Sequence, residues 1–207
     1  MAGINNFSLF LISSIILIIS PGPDFIYVTT RGISDGNKAG ILSAIGISTG
    51  LLIHTLFAAF GLSAIIQASR LAYQIVKYAG AAYLIYLGLK SILSKTENKN
   101  KKLLKKNNGN IYKQGILTNV FNPKAILTFL AFLPQFVDVS IKNPVFQFTF
   151  LGVIEAVLAV IWFSFIGYFA GRIGDLIKKS KIFQNIIKYL SSVVMLFLGL
   201  RIILQKE

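Results

Sequence analysis

Ser20-Pro21-Gly22-Pro23-Asp24 closes an uncharged apolar run that begins at Phe7. Two prolines, a glycine and a carboxylate interrupt what would otherwise be a plain membrane helix. Proline has no amide hydrogen and crowds the preceding turn. At membrane depth, backbone freed in this way is tolerated only inside protein or along a water-filled cavity. A carboxylate there costs about 2.5–3.5 kcal/mol on insertion scales. The two features together point to a ligand site at a helix break, with Pro21, Gly22, Pro23 and Asp24 as candidate residues. The plainer alternative ends the first helix at Pro21 and leaves Asp24 among the headgroups.

The composition places that break in a bilayer. The chain of 207 residues is 55% hydrophobic and 14% charged, with mean hydropathy +0.70; soluble domains carry about 25% charge. Six apolar runs reach the roughly 20 residues a spanning helix needs: Phe7–Val28, Ala39–Ile66, Leu71–Leu93, Gln114–Val137, Val145–Gly171 and Ile182–Leu204. Barrel strands would be shorter and alternating. The expected fold is therefore an all-α membrane protein of six transmembrane helices. A signal peptide needs a basic leading region, and no Lys or Arg precedes Arg31, so the first helix is expected to remain in place. There is no cysteine and a single histidine, His54, which cannot build a zinc site alone; neither a metal nor a cofactor is implied.

A net charge of +14 would suggest nucleic acid in a soluble protein, but its distribution argues for topology instead. The segments between helices 1 and 2, 3 and 4, and 5 and 6 hold fourteen basic residues, from Arg31 and Lys38 through the run Lys90–Lys113 to Lys181. The opposite side holds five: Arg70, Lys77, Lys142, Arg201 and Lys206. Positive segments stay cytoplasmic, so both termini are expected outside. The same charge favours anionic lipid, and nucleic acid is not an expected partner.

Residues 94–112 read as a basic cytoplasmic linker between two halves, 1–93 and 113–207. The halves are related. Residues 75–93 align without a gap on residues 186–204, at an offset of 111, with eight identities including Lys-Tyr and Leu-Gly-Leu. Helices 2 and 5 match more weakly, through Gly46/Gly152 and Gly61/Gly167, which sets Glu155 opposite Thr49. Three helices per half is an odd number, so a duplicated half inserts upside down. Two inverted three-helix repeats with corresponding breaks are the architecture of secondary transporters.

The second half has its own break, Asn119-Val120-Phe121-Asn122-Pro123-Lys124-Ala125. Lys124 is the cationic counterpart of Asp24, and the two breaks should approach each other near the midplane. A zwitterion needs an anion site and a cation site a few Å apart. Asp24 suits the ammonium; Lys124, with Asn122 beside it, or a half-helix N-terminus suits the carboxylate. The alternative for Lys124 is snorkelling to the surface. Gly46, Gly50 and His54 recur every fourth residue on helix 2, a small-residue packing stripe. His54 is then either a proton-handling group or a hydrogen-bond partner for a neighbouring helix. Glu155, ten residues into helix 5, is the acidic residue most clearly inside a span, and intramembrane ionisable residues are functional candidates; a polar-cavity or proton-coupling role is expected of it.

Pro21-Gly22-Pro23-Asp24, the glycine series Gly36, Gly40, Gly46 and Gly50 ending in His54, the stretch Gly80–Gly88, and Asn122-Pro123-Lys124-Ala125 with Pro134-Gln135-Phe136 together resemble the LysE/RhtB translocators. The resemblance covers nearly the whole chain, in order. It implies a multi-pass protein of the bacterial inner membrane that exports amino acids of the homoserine, threonine, leucine or lysine type, driven by the proton-motive force. A homo-oligomer is compatible with it. The other readings are a divalent-cation exporter of the same superfamily and an integral membrane enzyme. No serine-centred motif, metal cluster or nucleotide loop speaks for an enzyme.

A cysteine introduced at Lys101 in this cysteine-free chain is expected to resist an impermeant thiol reagent in intact cells and to react in inverted vesicles. Labelling from outside would reverse the topology.

Overall fold

The computed structural model describes residues 4–93, 110–138, 140, 144–179 and 181–204. Most of the basic linker lies outside these residues. The regular structure of the described residues is all helical, apart from an isolated bridge between Ile4 and Val137.

The first apolar run is two helices, α1 (Phe7–Ile19) and α2 (Pro23–Asp35), bent by 52° at residues 20–22. Next, α3 (Asn37–Leu56) continues through a π-helical turn, Phe57–Leu62, into α4 (Ser63–Ala68), and α5 follows (Arg70–Leu93). The second half repeats the plan. Helix α6 (Ile111–Val120) meets α7 (Pro123–Leu127), a π turn (Thr128–Phe132) and a 3₁₀ turn (Leu133–Phe136), with a bend of 50°. Then come α8 (Val145–Lys179) and α9 (Lys181–Leu204). Helix α6 takes in the last two residues assigned to the linker, because the Asn110 side chain caps it by accepting the Lys113 amide at 3.2 Å.

Two spans, Asn37–Ile66 and Val145–Ala170, are uninterrupted, apolar and long enough to cross a membrane, and each bent pair adds one if counted as a single span. Helices α5 and α9, of 24 residues each, are about 36 Å long. Six spans was the expectation; two to four meet the criterion of length and composition among the described residues.

The uninterrupted helices α3 and α8 pack along one another and form the centre. Their closest approach is backbone on backbone. A Cβ at Gly40 would strike the Gly167 carbonyl, and one at Gly167 would lie 2.5 Å from the Gly40 carbonyl carbon. Gly46 faces Gly115 and Tyr112 of α6, whereas Gly152 faces Thr55 of α3. Gly61 meets open space, whereas Gly167 meets Gly40. The glycine pairs aligned from the sequence thus face different partners. Thr49 and Glu155 are not equivalent either: Thr49 bonds Ile45 and Tyr112 of α6.

Helices α5 and α9 form a second pair. A Cβ on Gly88 would meet the Leu196 side chain and the Ser192 carbonyl; one on Gly199 would meet Ile85 and the Ala81 carbonyl. Adding 111 to each number of the second set's partners returns those of the first, the offset found in the sequence.

The two broken spans are tied to each other at both ends. At one end the Asn5 amide donates to the Phe136 carbonyl (2.9 Å), and the Phe10, Phe132 and Phe136 rings pack with centroids 5.0–5.7 Å apart. There the Pro134–Asp138 segment closes the span, held by the Gln147 side chain, which accepts the Asp138 amide at 2.8 Å. At the other end the Tyr27 hydroxyl donates to the Ile111 carbonyl (2.7 Å), and Arg31 joins Asp35 (2.8 Å) and Gln114. Arg31 is 2% exposed, so it is a buried tie rather than a loop charge. Without it the basic count is thirteen to five, and the asymmetry stands.

Overpacking costs about 1–3 kcal/mol. Gly167→Ala is therefore expected to lower the Tm of the detergent-purified protein. Gly61→Ala, in open space, should leave Tm unchanged or raise it. Equal melting temperatures for the two variants would contradict the backbone contact.

Candidate functional site

Each break begins with a missing donor. In a continuous helix the carbonyl of residue i accepts the amide of residue i+4. The Leu17 carbonyl would look to Pro21 and the Asn119 carbonyl to Pro123, and neither proline has a hydrogen to give. Both carbonyls are met from elsewhere. The Lys124 ammonium donates to Leu17 O at 2.7 Å and to Ser20 O at 2.9 Å. The Asn119 carbonyl accepts the Asn122 amide at 2.9 Å and His54 Nε2 at 3.3 Å. A carbonyl only accepts, so Nε2 of His54 carries the hydrogen.

The helices restart in parallel fashion. Gly22 is extended and caps α2; Pro23 is its first residue and Asp24 its second. Asn122 caps α7, its side chain accepting the Lys124 amide at 3.0 Å; Pro123 is first and Lys124 second. Proline suits the first helical position, where no amide hydrogen is needed. The opposite charges thus occupy equivalent positions, and each reaches for the other broken span. Lys124 holds the last turn of α1. Asp24 Oδ2 accepts from Asn119 Nδ2, in the last turn of α6, at 2.9 Å. Gly22 lies against this crossing: a Cβ there would be in ordinary contact with Lys124 Cδ, at 3.4 Å.

Asp24 and Lys124 face one cleft with Glu155 of α8 but make no direct ion pair. Orphaned carbonyls claim the ammonium, a competition that counting charges alone overlooks. The cleft encloses about 450 Å³ between atoms, its open mouth included. Gly22 and Asn122 line it; Pro21 and Pro23 shape the break without lining it. The rest of the wall is mostly apolar, from Leu17 and Ile18 of α1 to Ala159 and Phe163 of α8. Glu155 is 3% exposed, with Ser14 beside it. Buried Asp24 Oδ1, Asn119 Oδ1 and Glu155 Oε2 have no hydrogen-bond partner. All three are acceptors; Asp24 and Glu155 line the cleft, whereas Asn119 Oδ1 faces Gly50 of α3. No cluster of three or more His, Cys, Asp or Glu side chains suited to a metal occurs among the described residues.

His54 lies outside the cleft wall, 7% exposed, its ring 5.5 Å from that of Phe129. It reaches the site through Asn119, to which the sequence reading gave no role. The signal was available: Asn119 stands four residues before Pro123 as Leu17 does before Pro21. Gly50 leaves space for it, since a Cβ there would sit 2.7 Å from the Asn119 side chain. Gly46 and Gly50 thus set α3 against α6.

A helical bundle with apolar membrane-length helices and a cleft between two broken spans belongs to the multi-pass membrane proteins. The chain is a member of the LysE type translocator family, whose family model matches residues 15–206. It is 33% identical over 195 residues to the uncharacterised membrane protein YrhP of Bacillus subtilis, covering 89% of this chain and 92% of that one. A homoserine/homoserine lactone efflux protein of Salmonella typhimurium is 32% identical over 197 residues, covering 90% and 91%. A leucine efflux protein of Enterobacter sp. is 30% identical over 181 residues, covering 86% of each chain. No solved structure matches the chain.

Lys124→Met removes the ammonium and keeps an unbranched stem. An unsatisfied buried carbonyl costs about 1–3 kcal/mol, so the variant should melt below wild type. Pro21→Ala in that background returns an amide hydrogen to Leu17 O and should recover part of the loss; an unchanged Tm would show that Leu17 O is not the group Lys124 satisfies.

Proposed function

We propose that the protein is a secondary exporter of amino acids or similar small zwitterions, bound in the cleft between the two helix breaks. One observation carries this reading: Asp24, Lys124 and Glu155 line a single cleft, with buried carboxylate oxygens still lacking donors. The names of the leucine and homoserine efflux relatives support it. A substrate ammonium supplies the missing donors to Asp24 and Glu155. Lys124 spends two of its three hydrogens on α1, and the third remains for a substrate carboxylate. The first amide hydrogens of α2, which have no partner within the helix, add to that anion site.

The architecture we assign is six spans in two inverted repeats, in the bacterial inner membrane, with both termini outside. The near-equal bends, the equivalent places of Asp24 and Lys124, and the 111-residue relation between the α5 and α9 contacts support the repeat. Proton coupling is assigned to Glu155. Its carboxyl passes through a closed state more cheaply when neutral, because an isolated buried charge is costly. One proton crossing 100 mV supplies about 2.3 kcal/mol, enough for a roughly fifty-fold gradient. His54 is the alternative relay, linked to Asp24 through Asn119.

Uptake of labelled amino acids into inverted vesicles tests the reading. Lys124→Ala should abolish transport at measurable protein levels, and Asp24→Asn should be milder than Asp24→Ala. Wild-type rates in Lys124→Ala would remove the site. Glu155→Gln should keep exchange between equal pools and lose accumulation driven by a pH gradient; a gradient of normal size would reassign the proton to His54 or Asp24.

A further inference from the structure

Glu155, Ala159 and Phe163 follow one another at every fourth residue of α8, and all three line the cleft. Residues at that spacing share a helix face, so a carboxylate, a methyl group and an aromatic ring are laid out in order along one wall. At 1.5 Å per residue, Ala159 stands about 6 Å and Phe163 about 12 Å along the axis from Glu155. The three are 3%, 0% and 5% exposed, so the stripe faces protein and cleft rather than lipid. We propose that Ala159 and Phe163 measure the substrate side chain: the small residue gives it room and the ring stops it.

The inference rests on the reading that a substrate ammonium sits at the carboxylates. From that anchor a leucine-sized side chain extends about 5 Å beyond its own amino nitrogen. It then lies over the Ala159 methyl and ends short of the Phe163 ring. Leu51 of α3, Ile18 of α1 and Phe25 of α2 also line the cleft. The Thr128 hydroxyl, also in the cleft, spends its hydrogen on the Lys124 carbonyl at 2.8 Å. The class selected is α-amino acids whose side chains reach no further than about the length of leucine or methionine.

One methylene in an apolar pocket discriminates by about 10–200-fold. Ala159→Leu fills the space over the methyl, and the leucine-to-alanine ratio of initial uptake rates into inverted vesicles should fall at least about tenfold. Phe163→Ala removes the stop, and the phenylalanine-to-leucine ratio should rise about tenfold. Ratios cancel differences in the amount of folded protein. If Ala159→Leu does not assemble, Ala159→Val gives the same reading with a smaller change. Unchanged ratios in both the Ala159 and Phe163 variants, with wild type transporting and Lys124→Ala inactive, would overturn the measuring stripe alone. No amino-acid uptake by wild type, or full uptake by Lys124→Ala, would overturn the exporter reading beneath it.

Discussion

Two amide hydrogens that the chain does not possess organise this protein. Pro21 and Pro123 each leave the carbonyl four residues earlier without its helical donor. The Asn122 amide meets one of them locally, and both also draw donors from other spans. Lys124 and His54 are those donors, and each reaches from a different span to the broken one. The substitution of side-chain for backbone donors turns two local interruptions into cross-braces. The end of α1 is held by α7, the end of α6 by α3, and the space between the braces is the cleft. Asp24 completes the exchange by taking the Asn119 amide.

The surrounding packing follows from keeping that space open while closing the ends. Broken helices cannot stiffen a bundle, so α3 and α8 form its spine. The two broken spans are stitched at one end by the Phe10, Phe132 and Phe136 cluster and at the other by Tyr27, Arg31 and Gln114. The chemistry of the two stitches differs. One is a dispersion contact among rings; the other is a buried guanidinium whose charge is balanced by Asp35. Removing a partner from a buried ion pair leaves an uncompensated charge, which costs far more than the pair itself contributes, so the polar end is the less tolerant of substitution.

The interruptions were legible in the sequence because Pro, Gly and Asn act locally: both breaks, the opposition of Asp24 and Lys124, and the 111-residue offset between α5 and α9 could be read from residues alone. What could not be read was who satisfies whom. Lys124 invites pairing with Asp24 on charge, and its real partners are backbone atoms invisible in a string of side chains. Ala159, Leu51 and Phe163 sit in apolar helices where a lipid-facing residue and a cleft-facing one look the same, since both solvents are apolar. The glycine matches between helices 2 and 5 failed for a related reason: glycine marks a close approach but does not name the neighbour, and Gly46 and Gly152 turned out to face different helices. The resemblance of the motifs to the LysE/RhtB translocators, by contrast, depended on order and spacing along the chain, which packing does not scramble.

The contact of Gly40 with Gly167 is bare backbone on bare backbone. Such a seam has no rotamers to freeze when it forms and none to release when it parts, so side-chain entropy does not resist motion across it. Nor does it present the ridges and grooves that lock most helix pairs into one crossing angle. It behaves like a smooth bearing: short-ranged, and free to slip or pivot without any side chain having to change place. A spine that carries such a bearing at Gly40 and Gly167 is free to pivot there, while the Thr55 side chain seated against Gly152 further along the same pair fixes its other end.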